Sequence, residues 1–225
     1  MGQMIVFCGW IVYNPGCIVK DRPSVGEIMP GKTGIRSFVA VELTDAVRQA
    51  LAAVQRDLKA QTPPGAVRWT RSDSIHLTLQ FLGDVLPDQV EAVAGALRDA
   101  CAGRAPFAFE LAGAGVFPNL NRPRVVWVGV VEPSGVLAAL QQRVAQALAP
   151  LGFSPEERGF TPHLTIGRAA RDAGPRDLAA LGALVARAGI ESLGRVAVDH
   201  VNLMKSDLKP DGAVYTPLAV IPLAK

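Results

Sequence analysis

The sequence predicts an α+β fold made of two similar lobes, on two observations. Strand-like and helix-like segments alternate along the chain after residue 35, and they do so twice in a similar order. A short polar motif in an apolar setting also occurs twice, first at residue 76 and again at residue 163, as expected of an internal duplication. A duplicated fold brings its equivalent strands together across a pseudo-two-fold axis, so we expect the two motifs to meet.

The elements of the first lobe follow from hydrophobic spacing and from the residues that begin and end helices. Val47, Leu51 and Leu58 recur at helical spacing after the N-cap pair Thr44-Asp45. The predicted elements are, in order, a strand over 36–43, a helix from Asp45 to about Lys59, a short strand near Val67–Trp69, a motif strand over 75–82 and a helix that starts at Pro87.

A similar order returns in the second lobe, and two strands close the chain. Pro133-Ser134 opens a helix whose apolar residues Leu137 and Leu140 lie on one face. The predicted elements are strands near 107–116 and 124–131, a helix that ends before Pro150, a motif strand over 163–168, a helix from about Pro175 to Ala188, and strands near 193–204 and 213–221.

Each motif is a histidine and a threonine two residues apart, in His76-Leu77-Thr78-Leu79 and in His163-Leu164-Thr165-Ile166. Positions i and i+2 of a strand project from the same face, so each motif sets an imidazole beside a hydroxyl and turns the leucine between them into the core. Two such strands facing each other form a cleft. There one imidazole takes a proton, the other gives one, and the hydroxyls hold phosphate oxygens, which suits acid–base chemistry on a phosphate.

The two motifs resemble the paired H-x-T-x motifs of the 2H phosphoesterase superfamily, in its branch of RNA 2′,3′-cyclic phosphodiesterases, also called 2′-5′ RNA ligases. Further similar segments extend the resemblance over residues 35–225. They are the opening strand Arg36–Val41, the central strand Arg122–Gly129, the segment Phe160–Thr165 that leads into the second motif, and the closing hairpin Leu203–Leu208 with Gly212 and Tyr215. The resemblance implies one bilobal domain over 35–225, with a largely antiparallel sheet in each lobe, helices on the outer faces and an active-site cleft between the lobes.

The resemblance also implies a reaction, the hydrolysis of RNA 2′,3′-cyclic phosphate ends to 2′-phosphate ends. It implies that His76 is the proton donor and His163 the proton acceptor, an order that the symmetric motifs alone do not provide. An aromatic side chain such as Phe81 or Phe117 is expected near the nucleobase of the substrate. The candidate phosphate-binding residues are Thr78, Thr165 and, as weaker candidates, Arg168 and Arg124.

Two other functions remain open from the sequence, and metal catalysis is disfavoured. The same site can join a 2′,3′-cyclic phosphate to a 5′-hydroxyl that takes the place of water, so reversible 2′-5′ ligation is one alternative; an RNA-end or nucleotide-binding module without turnover is the other. A binder needs no acid–base pair, which favours an enzyme. The third histidine, His200, completes no metal site, since no acidic or cysteine partner accompanies either motif. We therefore expect no cofactor and no metal.

Composition predicts a globular protein with a small basic region. Hydrophobic residues make up 49% of the chain, charged residues 19%, and the net charge is +3 at pH 7. This charge suits RNA ends but not an extended nucleic-acid track. Three cysteines without metal spacing and no apolar run of membrane-spanning length predict a cytoplasmic protein without a membrane partner, and we expect a monomer.

Residues 1–34 differ from the rest of the chain. They contain three prolines and show no sustained hydrophobic period, which predicts a mostly unstructured N-terminal extension. The segment Gly26–Thr33 matches the G-x-x-x-x-G-K-T pattern of a phosphate-binding P-loop. That motif needs a strand before the loop and a helix after it, and neither is predicted here, so we expect a chance match.

Overall fold

The computed structural model describes residues 3–7, 10–14, 33–154, 159–210 and 212–223, which belong to two compact units. In the unit Met1–Lys32, strands β1 (Gln3–Phe7) and β2 (Trp10–Asn14) pair antiparallel. Here the structure differs from the predicted irregular chain, because β-branched and aromatic residues favour strands. Apart from Thr33, the P-loop-like segment lies outside the described residues, and the assignment of residues 1–34 as an extension remains a prediction.

The unit Thr33–Lys225 contains a nine-stranded sheet and, within its described residues, four α-helices. Its strands are β3 (Ile35–Val41), β4 (Val67–Trp69), β5 (Leu77–Val85), β6 (Phe107–Phe117), β7 (Val125–Val131), β8 (His163–Ala169), β9 (Arg195–Val198), β10 (His200–Lys209) and β11 (Gly212–Pro222). Its helices are α1 (Asp45–Gln61), α2 (Val90–Cys101), α3 (Val136–Leu148) and α4 (Pro175–Arg187).

The sheet confirms the prediction of two similar lobes. Its strand order is β11-β10-β3-β5-β8-β7-β6-β9, with β4 also paired to β8, and every pairing is antiparallel. The order β3-α1-β5-α2 in the first lobe returns as β7-α3-β8-α4 in the second. The two lobes meet where β5 pairs with β8, so they share one continuous sheet rather than forming two separate ones.

The ends of this sheet come close together. The sequence predicts strands near 193–204, and the structure has β9 and β10 there with only Asp199 between them. These strands lie at or next to opposite ends of the strand order. A single residue cannot cross an open sheet, so the sheet must be strongly curled.

The four helices of the described residues all pack on one face of the sheet. Apolar residues of all four helices pack with one side of the strands in a single core, which includes Leu51, Leu97, Leu140 and Leu181. A smaller cluster of Phe38, Ala40 and Met204, with Tyr215 packed against it, lies on the other side of β3 and β10. Within the described residues, the helices are too short or too polar to cross a membrane.

Two helices begin later than their prolines predict. Pro87 opens the 3₁₀ turn Pro87–Gln89, and α2 starts at Val90. Helix α3 starts at Val136 rather than at Pro133, because Gly135 has a left-handed φ of 77° that ends the preceding turn. The Glu132 carboxylate accepts the backbone N–H of Leu137, which satisfies one free donor of the first helical turn.

Candidate active site

Strands β5 and β8 meet through one directly paired position, Leu77 opposite Leu164. Both side chains are fully buried in the core beneath the helices. Neighbouring residues of a strand point to opposite faces, so the residues on either side of each leucine point away from this core. We call the face that they occupy the site face.

Four polar side chains, from the residues directly before and after the two leucines, lie together on the site face. Antiparallel pairing sets His76 across from Thr165, and Thr78 across from His163. Residues directly opposite each other have Cβ atoms about 5 Å apart. All four residues are half-buried. The structure thus brings the two predicted motifs together as one histidine–threonine quartet.

Both histidines are oriented by the same hydrogen bond. Nδ1 of His76 lies 3.0 Å from the carbonyl oxygen of Ser74, and Nδ1 of His163 lies 2.8 Å from that of Thr161. A carbonyl oxygen only accepts, so Nδ1 carries the hydrogen in each ring. Nε2 is then left free to accept a proton in the neutral imidazole or to donate one in the imidazolium.

His76 lies against two aromatic rings. The Phe38 ring stacks on it with centroids 4.6 Å apart, and the Tyr215 ring meets it edge-on at 4.9 Å. Burial lowers the pKa of His76 from 6.5 to about 4, the charge of Arg48 acts in the same direction, and the bond to Ser74 opposes both. His76 is therefore neutral at pH 7 in the free protein.

Arg48 on α1 holds the backbone that orients His76. Its Nη1 donates to the carbonyl oxygen of Asp73 at 2.6 Å, and its Nε donates to that of Leu43 at 3.0 Å. The held turn, Ser72–Ser74, supplies the carbonyl that binds the imidazole. Sequence reasoning missed Arg48, because helical spacing indicates only which face of α1 is apolar.

His163 has other aromatic neighbours. The Phe117 ring meets it edge-on at 5.0 Å, and the Trp127 ring lies 6.4 Å away and tilted. Phe117 is one of the two aromatic residues expected near the nucleobase. In the structure its ring lies against the second histidine, His163.

Each motif strand contains a β-bulge directly after its threonine. Leu79 in β5 and Ile166 in β8 are the extra residues, since the residues on either side of each pair with consecutive positions of β3 and β7. A bulge residue shifts the alternation of the strand, so side chains beyond it exchange faces. Leu79 and Ile166 themselves stay in the core.

The bulges bring Phe81 and Arg168 onto the site face. Phe81 pairs with Phe38, and their ring centroids are 6.2 Å apart. Strict alternation along the strand would turn Arg168 to the core side, away from the face of Thr165. Gly167 takes the core side instead: a Cβ there would lie 2.9 Å from Val67 Cγ1 in the core. Both Phe81 and Arg168 are solvent-exposed.

Arg168 also lies near the aromatic neighbour of the first histidine. Burial raises the pKa of the Tyr215 hydroxyl, and the charges of Arg168 and Arg36 oppose that rise. Arg168 comes from the second lobe and Tyr215 from the closing hairpin of the first, so the two lobes face each other here. The sequence quotes Tyr215 only as part of a family-like hairpin, and its ring contact with His76 depends on the folded sheet.

Two further candidates lie apart from the quartet. Arg124 just before β7 joins neighbouring strands by its backbone, which donates to Phe117 and accepts from Ala169, and its side chain is exposed. His200 pairs through Nδ1 with the Asp199 carboxylate. Within the described residues, no group of three or more histidine, cysteine or acidic side chains is arranged to hold a metal ion.

A cavity of about 230 Å³ borders the first histidine. Its lining includes His76, Tyr215 and Met204 on the sheet and Arg48 on α1. It provides space for part of a bound molecule on the first-lobe side of the quartet.

Comparison with known proteins agrees with this geometry. The model of the 2′-5′ RNA ligase superfamily matches residues 45–210. The chain belongs to this superfamily. An RNA 2′,3′-cyclic phosphodiesterase of Methanothermobacter thermautotrophicus is 35% identical over 189 residues, which cover 84% of this chain and 99% of the relative. A protein of the same name from Archaeoglobus fulgidus is 33% identical over 186 residues, with 83% and 99% covered.

Solved structures of the superfamily share the fold. LigT of E. coli, crystallised with 3′-AMP, superposes with a TM-score of 0.67 at 26% identity, over 85% of this chain and 99% of LigT. A protein of Thermus thermophilus superposes with a TM-score of 0.69 at 26% identity, over 84% and 98% of the two chains. The predicted 2H phosphoesterase resemblance is confirmed at the level of family and fold.

Proposed function

We propose that the protein hydrolyses RNA 2′,3′-cyclic phosphate ends to 2′-phosphate ends by paired-histidine acid–base catalysis. The observation that carries this proposal is the quartet, in which two imidazoles with free Nε2 atoms lie across from two hydroxyls. Relatives named RNA 2′,3′-cyclic phosphodiesterase support the substrate class, and LigT has been crystallised with both 3′-AMP and phosphate.

The proposed reaction takes one proton from the attacking water and gives one proton to the leaving oxygen O3′. His163 Nε2 accepts a proton from the attacking water as the water oxygen bonds to phosphorus. The bond from phosphorus to O3′ breaks, and His76 Nε2 donates its proton to O3′. The product carries a 2′-phosphate and a 3′-hydroxyl, and the two imidazoles have exchanged protonation states. Each regains its starting state by proton exchange with water.

The donor role of His76 depends on the bound substrate. The free protein holds this imidazole neutral at pH 7, because burial lowers its pKa to about 4. A phosphate anion beside Nε2 favours the charged form of the ring. Substrate binding therefore prepares the proton donor, while the Ser74 carbonyl keeps Nε2 directed away from the backbone.

The remaining groups of the site face stabilise the phosphate and the nucleoside. Thr78 and Thr165 donate their hydroxyls to non-bridging oxygens as charge redistributes. Arg168 contributes positive charge on the second-lobe side, and Arg124 is a more distant candidate. Phe81, with 48% of its surface exposed, provides an apolar ring on which a base stacks.

The test is product analysis with an oligonucleotide that ends in a 2′,3′-cyclic phosphate, in the presence of excess chelator. We expect turnover and a phosphate located at the 2′ position. A 3′-phosphate product would mean that water enters from the opposite side, so the two histidine roles would be exchanged. Activity that disappears with chelator and returns with zinc or manganese would overturn the metal-free mechanism.

The same assay separates the two alternatives. Adding an oligonucleotide with a 5′-hydroxyl reveals 2′-5′ ligation, in which that hydroxyl takes the place of water: His163 accepts its proton, its oxygen bonds to phosphorus, and O3′ leaves with a proton from His76. A binding module without turnover would retain the cyclic end indefinitely while still shifting the mobility of the oligonucleotide.

A further inference from the structure

Two arginines lie side by side on the site face, beyond the catalytic quartet. β4 pairs with β8 so that Arg68 is directly opposite Arg168, and both residues are exposed. Their neighbours Val67, Trp69 and Gly167 occupy the core side, since a Cβ on that glycine would meet both Val67 and Trp69 side chains. Alternation therefore places both guanidinium groups on the same side as Thr165.

This pairing is unfavourable without an anion. Like charges directly opposite each other in an antiparallel pair destabilise it. Among the residues that the structure describes, neither Arg68 nor Arg168 has an acidic partner within ion-pair distance. The arginine pair is thus a concentrated positive charge next to the site where a phosphate reacts.

The position of the pair sets which phosphate it meets. Arg168 follows Thr165 by three residues, roughly 10 Å along a strand and less across a bulge. Its charge also reaches Tyr215 across the cleft. Arg68 lies one strand farther from the second-lobe histidine than Arg168 does. Arg168 is close enough to serve the reacting phosphate, and Arg68 is displaced from Arg168 by one strand, about 5 Å, towards the next position along a bound strand of RNA.

We propose that Arg68, next to Arg168 at the reacting phosphate, binds the backbone phosphodiester that joins the terminal nucleotide to the rest of the RNA. This inference rests on the proposed function. Arginine's planar fork matches two phosphate oxygens at once, so Arg68 forms a subsite for a second phosphate beside the one that Arg168 serves. The protein then distinguishes the end of an RNA strand from a cyclic mononucleotide, which lacks that phosphodiester.

The test compares R68Q with the control R187Q, which removes an exposed arginine from the last turn of α4. Two substrates are used: an oligonucleotide with a 2′,3′-cyclic phosphate end, and a nucleoside 2′,3′-cyclic phosphate. For the oligonucleotide we expect R68Q to raise KM about tenfold, as for a lost hydrogen bond to a charged group, with kcat unchanged. For the mononucleotide, the KM of R68Q stays within about twofold of the wild-type value. R187Q changes neither KM nor kcat for either substrate.

Salt dependence and a modified strand sharpen the test. R68Q should reduce the slope of log KM against log salt for the oligonucleotide by about 0.7, the value for one contact to a single-stranded phosphate. A methylphosphonate at the last internucleotide linkage removes that charge, so wild type and R68Q should then behave alike. Equal KM changes for both substrates, or an R68Q effect that survives the methylphosphonate, would overturn the subsite.

The outcome remains distinguishable from failure of the proposed function. If the wild-type protein hydrolyses neither substrate, the function fails. The subsite is then measured by anisotropy of a labelled oligonucleotide, where the same R68Q and methylphosphonate comparison applies to Kd. If wild type hydrolyses both substrates and R68Q matches R187Q throughout, only the subsite fails.

Discussion

The two lobes hold their histidines by the same hydrogen bond but surround them differently. In both, Nδ1 donates to the carbonyl two residues earlier, and a bulge follows the threonine. His76, however, is stacked on Phe38 beside a turn that Arg48 holds, whereas His163 meets the edge of Phe117. The repeated part provides two imidazoles that are oriented in the same way. The parts that differ give these imidazoles unequal environments, which the proposed acid and base need.

The bulges provide a second difference between the lobes. At corresponding places after the bulge, the first lobe presents Phe81 and the second presents Arg168. An aromatic ring suits a base, and a guanidinium suits a phosphate. In the proposed complex, the two sides of the site therefore offer different chemistry to the two parts of one nucleotide.

The largest expected effect concerns the part that the lobes share. His76→Ala and His163→Ala should each reduce kcat about 10²–10⁴-fold on a cyclic phosphate end, as for loss of a general acid or base. The double variant should lose little more than either single one, because the two act as a unit. His200→Ala is the matched control and should retain the wild-type rate. A single variant that keeps more than about a tenth of the activity contradicts its assigned role.

The next prediction concerns the unequal surroundings and is measured as stability against pH. The folded pKa of His76 lies below the unfolded value of 6.5, at about 4, so the unfolded chain takes up a proton first on acidification. The stability of the fold with a neutral, buried His76 is fully present above pH 6.5. As the pH falls towards 4, the free energy of unfolding decreases by about 3 kcal/mol. His76→Gln should flatten that interval in urea titrations. An unchanged pH dependence in the variant would show that His76 is not the group responsible.

A smaller effect tests whether the hydroxyls act equally in the two lobes. Thr78→Val and Thr165→Val keep the β-branched shape, so Tm should stay near that of wild type. Each variant loses a hydrogen bond to a charged group, which should weaken transition-state stabilisation by about 1–3 kcal/mol. The loss is measured as a lower kcat/KM for the cyclic phosphate. Phosphate-analogue binding should weaken in parallel. Valine variants with full activity would show that the threonines only pack the cleft wall.

Much of this arrangement could be predicted from sequence because it depends on local pattern. The short strand Val67–Trp69 has the predicted bounds, and α1 begins at Asp45 as its N-cap pair indicates. The motif spacing alone places His76 and Thr78 on one face. The meeting of the two motifs follows from the duplication, which the β5–β8 pairing confirms.

The rest depended on partners far away in the chain. A bulge arises from how a strand fits its neighbour, so nothing in residues 163–168 alone indicates that Ile166 is extra or that Arg168 faces the site. The opposition of Arg68 and Arg168 likewise needs the register between β4 and β8. Arg48 acts through backbone carbonyls of a turn, which no side-chain pattern reveals.

The last prediction is that deleting residues 1–32 has no effect on the site. All residues assigned to the site in either lobe belong to the unit Thr33–Lys225. The deletion should therefore leave kcat, KM and Tm unchanged, and the pH dependence of stability assigned to His76 should persist. The segment also contains the P-loop-like residues 26–32, so ATP hydrolysis is measured in parallel with full-length protein as the control. Nucleotide hydrolysis that disappears with the deletion would give that motif a function. Loss of cyclic phosphate turnover would instead mean that the N-terminal residues contribute to the site.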